Sequence, residues 1–113
     1  MSDIKTVCVY CGSGPGTDPR FIESATAFGK ELAEQGVELV YGGGSVGLMG
    51  AVASGALAAG GEVIGVIPEA LVSGEVANHD CTELHVVANM HERKAAFTDL
   101  SDGFVTIPGG VGT

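Results

Sequence analysis

Three glycine clusters carry the first chemical signal in this sequence. Gly12-Ser13-Gly14-Pro15-Gly16 follows an apolar run at residues 4–10. Gly42-Gly43-Gly44-Ser45-Val46-Gly47 follows a second run at 37–41, and Pro108-Gly109-Gly110-Val111-Gly112-Thr113 follows a third at 103–107. Glycine lets backbone N–H groups come close to an anion, and a helix N-terminus adds the positive end of its dipole. Ser13 offers a hydroxyl to the first loop, and Thr113 would stand at the start of the next helix. One glycine loop is a turn. Three loops, each at the end of a strand, call for a phosphorylated ligand.

The middle cluster also spells Gly42-x-Gly44-x-x-Gly47, the dinucleotide fingerprint, between a strand and a helix. Glu69 falls just past the next strand, where a ribose-binding acid would sit. A nicotinamide or flavin dinucleotide is therefore a competing reading. That fingerprint normally follows the first strand, however, and here it follows the second. The plainer alternative is a tight turn that lets a helix pack on the sheet.

Cations are scarce: five Lys and Arg face fourteen Asp and Glu, for a formal charge of −9. Two of the five, Arg93 and Lys94, fall just after Met90-His91-Glu92, in the first turns of a helix predicted over 89–101. There a cation opposes the macrodipole by a few tenths up to about 1 kcal/mol. Placement against local electrostatics points to an anionic partner, and Arg93 is the stronger candidate. The ordinary alternative is a solvated face with an intrahelical Glu–Lys or Glu–Arg pair. Glu75 lies in a connection and is either a solvent-facing acid or an acceptor for ribose hydroxyls. Cys8-x-x-Cys11 lies in a strand rather than at a helix N-terminus, so a buried inert thiol is expected. His79, Cys81 and His85 match no ligand spacing, and no metal is expected.

The acidic balance argues against nucleic-acid binding, which runs on Lys and Arg. The long uncharged stretch at 39–61 is broken by glycines into strand, turn and helix, so no membrane span is expected. The odd count of three cysteines fits a reducing cytoplasm, and no signal peptide is expected.

These residues need elements to position them. The first strand, 4–10, is followed by a helix from Pro19 to Gly36, with Asp18 as its N-cap. Phe21, Ala25, Phe28 and Leu32 repeat along it at helical spacing. A second strand, 37–41, precedes a small-residue helix at 48–59, stopped by Gly60-Gly61. A third strand, 62–67, is broken by Pro68. A connection with a short helix leads to a fourth strand at 82–87. The helix over 89–101 opens with Asn89-x-x-Glu92, which imitates a capping box. A fifth strand spans 103–107. Strands that alternate with helices and read as buried predict an α/β, Rossmann-like parallel sheet with helices on both faces, joined by right-handed crossovers. Residues 1–113 are expected to form a single nucleotide-binding domain.

Together the motifs resemble the LOG family, the cytokinin riboside 5′-monophosphate phosphoribohydrolases, long mislabelled as lysine decarboxylases. The resemblance rests on Val7-Cys-Val-Tyr-Cys-Gly-Ser13, Tyr41-Gly-Gly-Gly-Ser-Val-Gly-Leu-Met-Gly50, Val63-Ile-Gly-Val-Ile-Pro68, Met90-His-Glu-Arg-Lys-Ala95 and Pro108-Gly-Gly-Val-Gly-Thr113. It implies hydrolysis of the N-glycosidic bond of AMP or N6-prenyl-AMP, no redox cofactor, and a cytoplasmic homodimer. It implies that Arg93 is the catalytic arginine and Lys94 its neighbour. Ser13, Gly43, Gly44, Gly47, Met90, Pro108, Gly109, Gly110, Gly112 and Thr113 would bind phosphate or substrate. The family pattern P-G-G-x-G-T-x-x-E puts a glutamate three residues beyond Thr113. The sheet is accordingly expected to be truncated after its fifth strand, with the domain incomplete at its C-terminus. Val111 stands where an aromatic is common and Phe97 where methionine is, which would alter selectivity for the base or prenyl group.

Overall fold

The computed structural model describes residues 5–11, 19–45, 47–72 and 77–107. Its elements are β1 (Thr6–Cys11), α1 (Pro19–Glu34), β2 (Glu38–Tyr41), α2 (Gly47–Ala58), β3 (Val63–Pro68), a 3-10 turn (Glu69–Leu71), β4 (Glu83–Val87), α3 (Met90–Leu100) and β5 (Gly103–Ile107). All strand pairs are parallel, in the order β4-β3-β2-β1-β5.

The order explains the layering. From β1 to β3 the chain steps one way across the sheet, and right-handed crossovers put α1 and α2 on one face. From β4 to β5 it steps back past β1, and the same handedness puts α3 on the other. Side chains follow suit, because successive strand residues point to opposite faces. Val7, Val9, Leu39, Tyr41 and Val63 form one core with Ala25 and Leu32 of α1 and Leu48, Val52, Ala53 and Ala56 of α2. Cys8, Val40, Ile64 and Val66 form a second core with Phe97 of α3. Helices cover both faces, as the strand–helix alternation predicted.

Helix α1 and helix α2 meet backbone to backbone. A Cβ on Gly29 would overlap the Val52 carbonyl, and one on Gly55 would overlap the Thr26 carbonyl. That crossing depends on glycine; along α1, Ala25 and Leu32 are buried while Phe21 is 44% exposed. Helix α1 ends at Gly36 (φ 74°). Gly36 N–H donates to the Ala33 carbonyl (3.0 Å) and Val37 N–H to the Leu32 carbonyl (2.9 Å). This is the double bond pattern of a Schellman cap, and Gly60-Gly61 repeats it after α2. At the start of α3, Asn89 Oδ1 accepts from Glu92 N–H (2.9 Å), as a capping box requires. The Glu92 carboxylate reaches back to Ala88 N–H (2.9 Å) rather than to Asn89.

One expectation needs correction. Not every strand is buried: β4 exposes Glu83, His85 and Val86, and Phe104 of β5 is 51% exposed. Among the described residues both are edge strands, each with a neighbour on one side only. Among the described residues no helix is long and apolar enough to cross a membrane.

Candidate functional site

The strands that run into the glycine clusters, β2, β1 and β5, are neighbours in the sheet. Cys11 and Ile107 pair at the last positions of β1 and β5, so the chain leaves both strands at one level. The order reverses between these two strands, and open α/β sheets bind ligands at the carboxyl side of such a point.

Arg93 reaches the same end of the sheet from α3. It is 7% exposed. Its Nε donates to the Val66 carbonyl (2.9 Å) and its Nη2 to the Gly42 carbonyl (2.5 Å). The guanidinium carbon lies 5.8 Å from the centroid of the Phe97 ring, within cation–π range. Met90 Sδ, one helical turn earlier, is 3.8 Å from Nη1. A buried cation is tolerated where its donors are satisfied, and hydrogen bonds from a charged donor contribute about 1.5–3 kcal/mol each. Arg93 thus ties the carboxyl ends of β2 and β3 to α3. Gly42 makes room for it, since a Cβ there would overlap Nη2.

The loop after β2 is held from the opposite face as well. Tyr41 is 1% exposed, and its hydroxyl donates to the Gly44 carbonyl (2.6 Å). Asn78 Nδ2 donates to that hydroxyl (3.0 Å), and Asn78 N–H donates to the Gly43 carbonyl (2.8 Å). Asn78 Oδ1 accepts from Asp80 N–H (3.0 Å). Gly44 and Ala77 form an antiparallel bridge beside them. Gly47, with φ 66°, then opens α2. Cys81 Sγ lies 3.6 Å from the Tyr41 oxygen. The phenol proton is committed to Gly44, so the thiol is the donor in that contact. Burial pushes the Cys81 thiol up from its ordinary value, which keeps it protonated.

Of the residues singled out from sequence, Gly43, Gly44, Met90 and Arg93 are brought together, with Gly47 at the loop's far end. Met90 is 48% exposed, and Lys94 is exposed on α3. Ser13, Glu75 and Pro108, Gly109, Gly110, Gly112 and Thr113 lie outside the described residues. Cys8 is fully buried in β1, as its place in a strand implied. His85 Nε2 lies 3.1 Å from Glu83 Oε1 at the exposed β4 edge. Among the described residues no group of three His, Cys, Asp or Glu could hold a metal ion. Asn78 and the Tyr41 hydroxyl were missed as loop supports. The one signal for Tyr41 was a polar aromatic closing an apolar strand, and Asn78 gave none.

Comparison with known proteins agrees with this fold. The family model described as possible lysine decarboxylase matches residues 49–113, more than half of the chain. A cytokinin riboside 5′-monophosphate phosphoribohydrolase of Rhodococcoides fascians is 49% identical over 110 residues, covering 96% of this chain and 56% of that protein. One from Oryza sativa subsp. japonica is 46% identical over 112 residues, covering 99% and 46%. The chain therefore spans about half the length of the curated relatives it matches. Among solved structures, the molybdenum cofactor carrier protein of Chlamydomonas reinhardtii superposes with a TM-score of 0.79 at 26% identity, over 96% of this chain and 65% of that one. The molybdenum cofactor binding protein of Rippkaea orientalis shares the fold, with a TM-score of 0.74 at 24% identity, over 99% and 66%. With Arg93 inside the matched segment and the parallel α/β fold shared, this chain belongs to the possible lysine decarboxylase family, also called the LOG family.

Proposed function

We propose that the full-length protein is a phosphoribohydrolase acting on AMP or its N6-prenylated form. Water adds to the anomeric carbon, the C1′–N9 bond breaks, and the bonding pair leaves with the base. One proton of the water goes to the base, and the products are free base and ribose 5-phosphate. The breaking bond builds oxocarbenium character on the ribose, so catalysis needs an anchored phosphate and a carboxylate near C1′. The glycine loops at 12–16, 42–47 and 108–113, with Ser13 and Thr113, are the proposed anchor. Arg93, Lys94 and Met90 of α3 are the proposed side-chain partners of the phosphate and substrate, and Glu75 is the proposed ribose contact. The carboxylate is the glutamate that the family pattern places three residues after Thr113. A cytoplasmic homodimer belongs to the same proposal.

The observation that supports this reading best is the hydrogen bond between Arg93 and the Gly42 carbonyl, which joins the two motifs that the reaction requires. The names of the relatives from Rhodococcoides fascians and Oryza sativa point the same way. The test is chromatographic assay of base release by the purified full-length protein from AMP and N6-prenyl-AMP, beside an Arg93→Lys variant. Base and ribose 5-phosphate are expected in equal amounts, with the variant reduced by at least about a hundredfold, the scale of a lost electrostatic stabiliser. Full activity in the variant would remove Arg93 from its role.

The likeness to the molybdenum cofactor carrier protein supports a second reading, a non-catalytic binding module. Tight nucleotide binding by the full-length protein without any base release would establish it instead.

A further inference from the structure

Three successive carbonyls of the loop after β2 accept hydrogen bonds from the protein. Gly42 accepts from Arg93 Nη2, Gly43 from Asn78 N–H, and Gly44 from the Tyr41 hydroxyl. No peptide bond here is cis, and in a trans peptide the carbonyl and the following N–H point in opposite directions. Fixing the Gly42 and Gly43 carbonyls therefore turns the amides of Gly43 and Gly44 away from Arg93 and Asn78. The donors also come from opposite sides. Arg93 sits with the α3 core and Tyr41 with the core of α1 and α2.

Tyr41 and Asn78 are both buried and polar, a combination that costs stability unless every group is paired. Their pairing converges on one short stretch of backbone. Asn78 Nδ2 holds the Tyr41 oxygen, which leaves the phenol proton for Gly44, and Asn78 N–H holds the carbonyl one residue earlier. An apolar pair would fill the same volume without directing a loop.

We propose that Tyr41 and Asn78 are positioning residues for phosphate recognition. Asn78 N–H sets the peptide between Gly43 and Gly44, and Tyr41 holds the next carbonyl so that the loop does not turn that peptide back, which keeps the Gly43 and Gly44 amides toward the phosphate group of the substrate. The proposal rests on the phosphoribohydrolase reading for its substrate, and on the loop geometry alone for its anion. Tyr41→Phe removes the donor to Gly44 and keeps the ring. Asn78→Asp keeps the acceptor for Asp80 N–H, replaces the Nδ2 donor, and draws the phenol proton away from Gly44. Cys81→Ala is the control, because it touches the same hydroxyl but no loop atom.

The experiment uses the full-length protein and two readouts: ribose 5-phosphate affinity by calorimetry, and KM and kcat for AMP. Tyr41→Phe and Asn78→Asp are expected to weaken ribose 5-phosphate binding and raise KM by about tenfold, the scale of one hydrogen bond. Their kcat, and every value for Cys81→Ala, should stay within about twofold. A Tyr41→Phe protein that melts cooperatively and keeps wild-type affinity and KM overturns the proposal. So does a fall in kcat with affinity unchanged, which marks loss of fold rather than of positioning. If the wild type releases no base, the phosphoribohydrolase reading fails by itself, and the calorimetric comparison still decides this one. A wild type that does not bind ribose 5-phosphate overturns both.

Discussion

Gly42 and Arg93 form a single device. The guanidinium lies against the Gly42 carbonyl because position 42 carries no side chain, and Nε on the Val66 carbonyl prevents an easy retreat. Gly42→Ala should therefore displace the guanidinium at a stability cost of about 1–3 kcal/mol, as for other overpacked sites. Turnover should fall toward that of Arg93→Ala. A double-mutant cycle checks the mechanism: if Gly42 acts through Arg93, the double variant is no slower than Arg93→Ala alone. Independent, additive losses would contradict it. The Arg93→Ala variant also loses the hydrogen bonds to the Val66 and Gly42 carbonyls and the contact with Phe97, so its melting temperature must be compared alongside its rate. Sequence singled out Arg93 because a cation in the first turns of a helix opposes the dipole, and it assigned the reason to a ligand. The structure supplies a nearer reason in two strand-end carbonyls. Asn78 was illegible, since its hydroxyl partner is 37 positions away in the chain and its neighbours are ordinary loop residues.

At the level of elements, the glycines that end α1 and α2 were legible because the Schellman cap is local. The glycines inside these helices were not. Gly29 and Gly55 are explained only when two helices are brought into contact, which no single-helix pattern contains. The starts of β2 and β3 hold a second feature that only pairing reveals. Leu39 and Val63 are partners, so Glu38, the first residue of β2, and Glu62, the residue before β3, stand at the same end of adjacent strands. A hydrogen bond with Glu38, and then the charge of Glu38, hold the Glu62 carboxyl above the ordinary value of 4.5. The folded state thus binds this proton more tightly than the unfolded chain, and stability from this group falls as pH rises through the raised value. Above the raised value the ionised Glu62 stands against the charge of Glu38. Glu62→Gln should raise the melting temperature at pH 7, an advantage that shrinks as pH falls through the raised value and is gone below 4.5, where both states are protonated. Thermal melts across that range check it, and an advantage independent of pH would show that the two carboxylates are not its source.

For the whole molecule, the strand order bears on two ligands that the glycine pattern alone left open, and it favours the one in the proposed function. The alternation of strands and helices made a parallel sheet legible, but not the order β4-β3-β2-β1-β5. That order sets the reversal between β1 and β5, while Gly42-x-Gly44-x-x-Gly47 follows β2. In a dinucleotide fingerprint the glycines clear space for a pyrophosphate. Here the side on which a Cβ would stand is filled from within: one on Gly42 would overlap Arg93, and one on Gly43 would come within 3.2 Å of Ile67 Cβ and 3.3 Å of Leu84 Cδ1. Internal packing explains both glycines, so their presence is no argument for NAD. A monophosphate needs only one anion position, which adjacent loops after β2, β1 and β5 can share. Calorimetric titration of the full-length protein with AMP and with NAD separates the two. Saturable heat with AMP and none with NAD is expected. Tight NAD binding without AMP binding would mean that a second phosphate finds room beside the loop, and the packing of Arg93 against Gly42 would then have to open on binding.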